Sequence, residues 1–490
     1  MKVRHWLMAI VGLLLLVFSY QQLGAAAKDL SITIMRSTEP ALHVLSPEGV
    51  PPGDRPLVLI AHGFSGSTVL MRGFALTLAH AGYTTVLWDF DGHGTNPHPM
   101  SSEAGDDALM ANAEAALSAL LDYGYGDLDL VAILGHSMGS GVALSFGQEH
   151  PGTAATIAVS PVGTQVTPEL PHNLLLMAGE LEPRFVHSAE GRLAEAGGSG
   201  GDPAAGTARA LVVIPGVEHI SILFSPAAHA AARDWLDATF GRQPGARYYT
   251  DRRVVWYGSG LVGILLLGAA LAPLVAGPSA ATTRRRSVWW RLAAMAGGAL
   301  LGTLILWLAD LAGLGLSSLL GLQIGGYLLV WFCLAGLLSL LLLWTRPSVP
   351  SWRALLGGLM AFAILWLGVG FLGQLVWLTW WLIPPRLLLW PLGALLLLPW
   401  FLAAGESVRG ARVWGRIGWW IAHSVVLVAA MYLALMLSPE LGFIVLTIPL
   451  FPIILGVHSL AAGPHRGSWL LAISGALFVS WLLLSVFPLQ

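Results

Sequence analysis

Charge is what this sequence has least of. Only 11% of its 490 residues are Asp, Glu, Lys or Arg, 56% are hydrophobic, and the mean hydropathy is +0.71. A water-soluble chain carries about 25% charged residues, so one large soluble enzyme is excluded, and the apolar content excludes disorder. Acids are nearly missing outside residues 28–253, where only Asp310, Glu406 and Glu440 stand. Cysteine is reduced to Cys333; no internal disulfide can form, and the redox compartment leaves no trace. There is no H-E-x-x-H or comparable metal-ligand spacing, although His93 and His98 share a loop with Asp91. There is also no P-loop and no dinucleotide fingerprint after the first strand, so neither metal nor cofactor is expected.

The little charge there is lies unevenly. Residues 28–253 hold 24 acids and 12 bases, whereas the rest holds 13 bases and three acids. An acidic aqueous domain joined to a membrane domain with basic loops accounts for this split, and it speaks against nucleic acid as a partner.

The chain opens with Lys2 and Arg4, an apolar run from Trp6 to Tyr20, and small residues Gly24 to Ala27. These describe a signal peptide cleaved after Ala27, or an anchor helix of about 20 residues that is retained. Either one exports the domain behind it. From Val254 come eight apolar segments, near 254–276, 289–310, 324–344, 354–376, 387–404, 417–437, 442–461 and 468–488. Alternate loops carry Arg284, Arg285, Arg286 and Arg291; Arg346 and Arg353; Arg409, Arg412 and Arg416; and Arg466, with Arg386 the exception. Positive loops stay in the cytoplasm, which places residues 28–253 and Gln490 outside. The few ionisable groups in the spans, Asp310, His423 and His458, read as interfacial or as hydrogen bonds between helices. Tryptophans 289, 290, 344, 380, 381, 419 and 420 read as an interfacial belt.

Residues 28–250 have another rhythm. Apolar strands at Leu57–Ala61, Thr84–Trp88, Leu128–Leu134, Ala155–Val159, Leu174–Met177 and Leu211–Ile214 alternate with helices near 67–81, 139–149 and 221–240. Such alternation predicts an α/β domain, a doubly wound and mostly parallel sheet covered on both faces. Its chemistry belongs at the C-terminal strand ends.

Gly135-His136-Ser137-Met138-Gly139 is a G-x-S-x-G sequence set between a strand and a helix, which makes a nucleophile elbow with Ser137 at its tip. A serine hydroxyl needs a base, and the base an orienting acid. The remaining strands supply them: Gly179-Glu180-Leu181-Glu182-Pro183 follows one, Gly216-Val217-Glu218-His219 the next.

With this order of nucleophile, acid and histidine, residues 30–240 resemble the alpha/beta hydrolases. The resemblance does not extend to the membrane half. It implies Ser137, Glu182 and His219 as catalytic triad, with Glu180 the alternative acid because the family usually has aspartate at this place. Leu59-Ile60-Ala61-His62-Gly63-Phe64 resembles the family's H-G motif, which implies the backbone N–H groups of Phe64 and Met138 as oxyanion hole. Asp91-Gly92-His93-Gly94 resembles a structural turn of the family. His62 and His136 flank the site and suit packing or substrate contact better than catalysis.

About a dozen residues separate the strand ending near Ser160 from the one starting near Leu174, too few for a helical cap. An open cleft, or one roofed by residues 92–106 or by the membrane surface, is expected, with short esters turned over at least as well as long ones. The expected function is a membrane-tethered, outward-facing serine hydrolase acting on small-molecule or lipid esters, with thioesters and peptides open to the same triad. The alternative is a transport, sensing or scaffold protein whose hydrolase-like domain only binds ligand. A third reading has the membrane half deliver a lipid to the cleft. No protein partner is indicated.

Overall fold

Runs such as Leu57-Val-Leu-Ile-Ala61 are buried along their whole length. This is what a strand covered on both faces requires. In the computed structural model, which describes residues 3–51, 53–101, 105–125, 130–275, 287–344, 347, 349–462 and 467–490, these runs form an eight-stranded sheet. Its strands are β1 (Leu30–Met35), β2 (Leu42–Pro47), β3 (Leu57–Ala61), β4 (Thr84–Trp88), β5 (Val131–His136), β6 (Ala155–Val159), β7 (Leu174–Gly179) and β8 (Arg209–Ile214). The order is β1-β2-β4-β3-β5-β6-β7-β8. β1 and β2 are antiparallel to each other and β2 to β4; every other pair is parallel.

Side chains alternate between two covered faces, as the period of a strand demands. Val58 and Ile60 pack with α2 (Arg72–His80) and α6 (Pro226–Phe240). Leu57, Leu59 and Ala61 pack with α3 (Gly105–Asp122) and α4 (Met138–Glu149), and α5 (Pro183–Glu195) covers Leu174 and Leu176. Two expectations need adjustment: the first helix starts at Arg72, not near 67, and the helix expected over 221–240 is a short turn at Ser221–Phe224 followed by α6. Residues 128 and 129 of the expected strand Leu128–Leu134 lie outside the described residues. The edge hairpin β1–β2 is an addition to the expected strands.

The chain forms two compact units, one of residues 21–257 with 373–379 and one of 1–20, 258–372 and 380–490. Among the described residues, eight helices are long and apolar enough to cross a membrane. They include α1 (Val3–Ala25), and a bent pair adds a ninth candidate. After α6 come α7 (Arg253–Val275), α8 (Val288–Leu311), α9 (Gly325–Leu343), α10 (Trp352–Leu365), α11 (Phe371–Val376), α12 (Pro384–Val408), α13 (Val413–Leu437), α14 (Leu450–Ala462) and α15 (Ser468–Val486). A π turn at Trp366–Gly370 joins α10 to α11 within one span. The seventh apolar segment is not a straight helix: Pro439–Leu446 and α14 meet at 48°. Pro449 stands in the break, where its ring cannot continue a helix.

His423 on α13 donates to Ser407 on α12 (2.9 Å), and His458 on α14 to Ser474 on α15 (3.0 Å). Each serine gives its own proton to a carbonyl of its helix. Asp310, at the end of α8, accepts from Ser438. Trp380 and Trp419 depart from the expected belt, for both are buried among bundle side chains. Arg386 is also buried, and its guanidinium donates to the Leu484 and Phe487 carbonyls at the C-terminal end of α15. Helix ends favour cations there, which explains its place among otherwise arginine-poor loops. Lys2, Arg284, Arg285, Arg286, Arg346 and Arg466 lie outside the described residues.

Candidate active site

The parallel strands end together, and the connections leaving them carry the reactive groups. Between β5 and α4 the chain reverses at Ser137, whose φ of +53° is a left-handed conformation that non-glycine residues avoid. The turn closes only because its flanks have no side chains. A Cβ on Gly135 would lie 1.8 Å from the Gly139 carbonyl oxygen, and one on Gly139 would lie 2.5 Å from that of His62.

His219 follows β8 by five residues. The Glu218 carboxylate holds its turn by accepting from the backbone of Ile220 and Ser221. The imidazole Nε2 lies 3.1 Å from Ser137 Oγ, and Nδ1 lies 2.8 Å from Glu182 Oε2. A carboxylate can only accept, so Nδ1 carries the proton and Nε2 is left to accept from the serine hydroxyl. The structure thus brings together Ser137, His219 and Glu182, three side chains from three strand ends.

Glu180 is elsewhere. Its exposed side chain accepts from Gly216 N–H. Glu182 is buried at 6% exposure, and its second oxygen, Oε1, accepts from Gly179 N–H (2.6 Å) and from the Ser160 hydroxyl (2.7 Å). Ser160 belongs to no motif of the sequence. Neither does Phe185, whose ring stacks on the His219 imidazole at 4.3 Å. Position offers the one signal for Ser160: it stands immediately past the end of β6.

The other two histidines beside the elbow are structural. His62, fully buried, accepts from Phe90 N–H at Nε2 and donates to the Gly63 carbonyl from Nδ1. His136 donates from Nε2 to the backbone carbonyl of His219 (3.0 Å), and its ring packs on that of His219. Burial, followed for His136 by the neighbouring His219, holds both below the ordinary imidazole range. Both rings make their hydrogen bonds to backbone groups, whereas the imidazole at the Ser137 hydroxyl is that of His219.

The loop after β3 passes beside the nucleophile, where a Cβ on Gly63 would lie 3.1 Å from Ser137 Cβ. Phe64 follows in that loop, and Met138 opens α4, where the first N–H groups have no partner within the helix. The Asp91-Gly92-His93-Gly94 turn is held by Asp89, which accepts from Thr68 N–H, Thr95 N–H and the Thr95 hydroxyl. His98 and Asp91 are 3.9 Å apart, and among the described residues no cluster of His, Cys, Asp or Glu could hold a metal. No helix lies between β6 and β7. Of residues 92–106, 102–104 lie outside the described residues.

Residues 53–196 match the family model described as Hydrolase_4, serine aminopeptidase, S33. The N-terminal domain has the alpha/beta hydrolase fold. An uncharacterized protein of Mycobacterium tuberculosis is 27% identical to it over 183 residues, covering 34% of this chain and 64% of that protein. A thermostable monoacylglycerol lipase of Bacillus sp. is 31% identical over 136 residues, covering 27% of this chain and 49% of the lipase. The chain therefore spans less than two thirds of the length of these curated relatives. A solved structure of a soluble variant of the monoglyceride lipase of Saccharomyces cerevisiae is similar at 14% identity and a TM-score of 0.32, over 43% of this chain and 96% of that one. A membrane phospholipase A is similar at 14% identity and a TM-score of 0.36, over 47% and 92%. The family match ends at residue 196, before the apolar helices that begin with α7.

Proposed function

We propose that the protein is a membrane-bound serine hydrolase cleaving carboxylic esters, with Ser137 as nucleophile, His219 as base and Glu182 as orienting acid. The observation that carries this reading is the unbroken relay from Ser137 Oγ through the imidazole to the Glu182 carboxylate. In the first step Oγ attacks the ester carbonyl carbon while its proton passes to His219 Nε2. The imidazolium so formed is stabilised by Glu182. The N–H groups of Phe64 and Met138 receive the negative charge that gathers on the carbonyl oxygen. Collapse breaks the ester bond, His219 returns the proton to the departing alcohol, and water repeats the sequence on the acyl-serine. The monoacylglycerol lipase among the relatives supports esters over peptides as substrates, and the short β6–β7 connection supports a cleft open to short acyl groups.

Membrane attachment rests on the apolar helices. The arginine-rich alternate loops support an extracytoplasmic hydrolase domain. In this reading α1 is kept as an anchor. A Cβ on Gly12 would lie 2.6 Å from the Gly263 carbonyl oxygen, and one on Gly263 would lie 2.7 Å from that of Gly12, so α1 and α7 touch backbone to backbone as small residues in membranes allow. Just beyond α1, Ala26 lies in the hydrolase core and its carbonyl accepts from His80. Cleavage after Ala27 would remove all of these contacts.

The test is labelling of the detergent-solubilised protein with a fluorophosphonate probe, beside hydrolysis of a short chromogenic ester. Wild type should label and turn over, and Ser137→Ala should do neither while still entering the membrane. A folded wild type that resists the probe, or an alanine variant with wild-type rates, overturns the reading and favours a domain that only binds ligand.

A further inference from the structure

We propose that Ser160 is a positioning residue of this site, a fourth member of the relay that acts on Ser137 only through Glu182 and His219. The proposal rests on the serine hydrolase reading above. A carboxylate that orients a histidine must keep its charge and its direction, and a glutamate has one more rotatable bond than an aspartate with which to lose direction. In this site the extra freedom is removed from behind. While Oε2 faces His219, Oε1 is held between Gly179 N–H and the Ser160 hydroxyl. Two donors on the rear oxygen fix the carboxylate plane.

The serine is built for this contact. It is fully buried, so its hydroxyl has no water to turn to. Its backbone N–H is bound to the Met177 carbonyl at 2.7 Å, so the hydroxyl is not needed to anchor the main chain. Its φ is +51°, a conformation costly for any residue with a Cβ. Such outliers persist where the surroundings impose them, and they cluster at functional sites. Among the described residues, the side-chain hydroxyl that donates to Glu182 is that of Ser160.

Ser160→Ala removes the donor and little else. Because the lost bond is to a charged acceptor, kcat on a short ester should fall about tenfold to a hundredfold, with KM unchanged, since Ser160 is fully buried with its hydroxyl turned to Glu182. Ser160→Gly lacks the hydroxyl as well and suits the left-handed backbone, so it should show the same loss if the alanine variant folds poorly. The deciding measurement is a double-mutant cycle with Glu182→Gln. If Ser160 works through the carboxylate, its removal from a protein already carrying Glu182→Gln costs less than about threefold. Multiplying losses in the cycle, a raised KM, or wild-type kcat in Ser160→Ala and Ser160→Gly would overturn the proposal. Ser137→Ala run in parallel separates the outcomes: if it is dead while the Ser160 variants are normal, only the fourth member is refuted, and if it is active the hydrolase reading fails first.

Discussion

Replacing Glu182 by glutamine tests the acid without changing its shape. Oε1 accepts from two donors, Gly179 N–H and Ser160 Oγ–H, so in the glutamine that place requires the amide oxygen. The NH2 group is then left facing His219 Nδ1. Two donors cannot face each other, so the imidazole must give up its Nδ1 proton and carry it on Nε2, where it points at Ser137. A ring in that tautomer cannot take the serine proton. Losses of about 10⁴ in kcat accompany the wrong tautomer in a serine triad, equivalent to about 5.4 kcal/mol of transition-state stabilisation. KM should hardly move. Glu180→Gln keeps an acceptor for Gly216 N–H and should stay within about twofold of wild type. The assay is steady-state hydrolysis of a short chromogenic ester in detergent, on protein whose fold is checked by circular dichroism. A Glu182→Gln variant within tenfold of wild type, or a large loss at Glu180 instead, would refute the assignment of the acid.

Gly139→Ala should leave little folded protein, because its Cβ would come within 2.5 Å of the His62 carbonyl oxygen with backbone on both sides; a cost of about 3 kcal/mol or more is expected, and an unchanged thermal midpoint would count against the tight elbow. His62, His136 and His229 are held below the ordinary imidazole value by burial, so they take up protons less readily in the fold than in the unfolded chain, which does so below about pH 6.5. Stability should thus be level above that pH and fall as pH drops through it, by up to about 1.4 kcal/mol per unit for each histidine, and urea unfolding that is equally stable at pH 7.5 and 5.5 would contradict this. Arg253 pairs with Asp251 in a buried ion pair at 2.7 Å and also holds the Leu375 carbonyl; Arg253→Met strands the carboxylate at a cost of about 3–5 kcal/mol. Adding Asp251→Asn should recover most of that loss, and simple addition of the two costs in thermal melts would show that the pair is not coupled.

Legibility in the sequence follows the range of the interaction that fixes each feature. The inner strands are readable because burial on both faces leaves an unbroken apolar run, and the elbow because Gly135 and Gly139 are needed within two residues of Ser137. β1 escapes although Leu30, Ile32 and Ile34 alternate, for its middle is exposed and a short edge strand shows no apolar run. The break in the seventh span has its signal in Pro449, and α5 has one in Pro183 at its first position, which favours a helix start. Between Glu180 and Glu182 the resemblance favours the second, but the residues themselves do not decide. Both follow β7 within three residues, and what separates them is the return of the chain at Glu182, whose N–H donates to the Gly179 carbonyl while its carboxylate receives the Gly179 N–H. That closed loop turns Glu182 inward and leaves Glu180 in water. Ser160 is further out of reach, since nothing local ties it to a carboxylate 22 residues away. Its role arises only when β6 and β7 pair in the register that sets Val159 beside Met177, so the property that makes the acid effective belongs to the sheet and not to any motif.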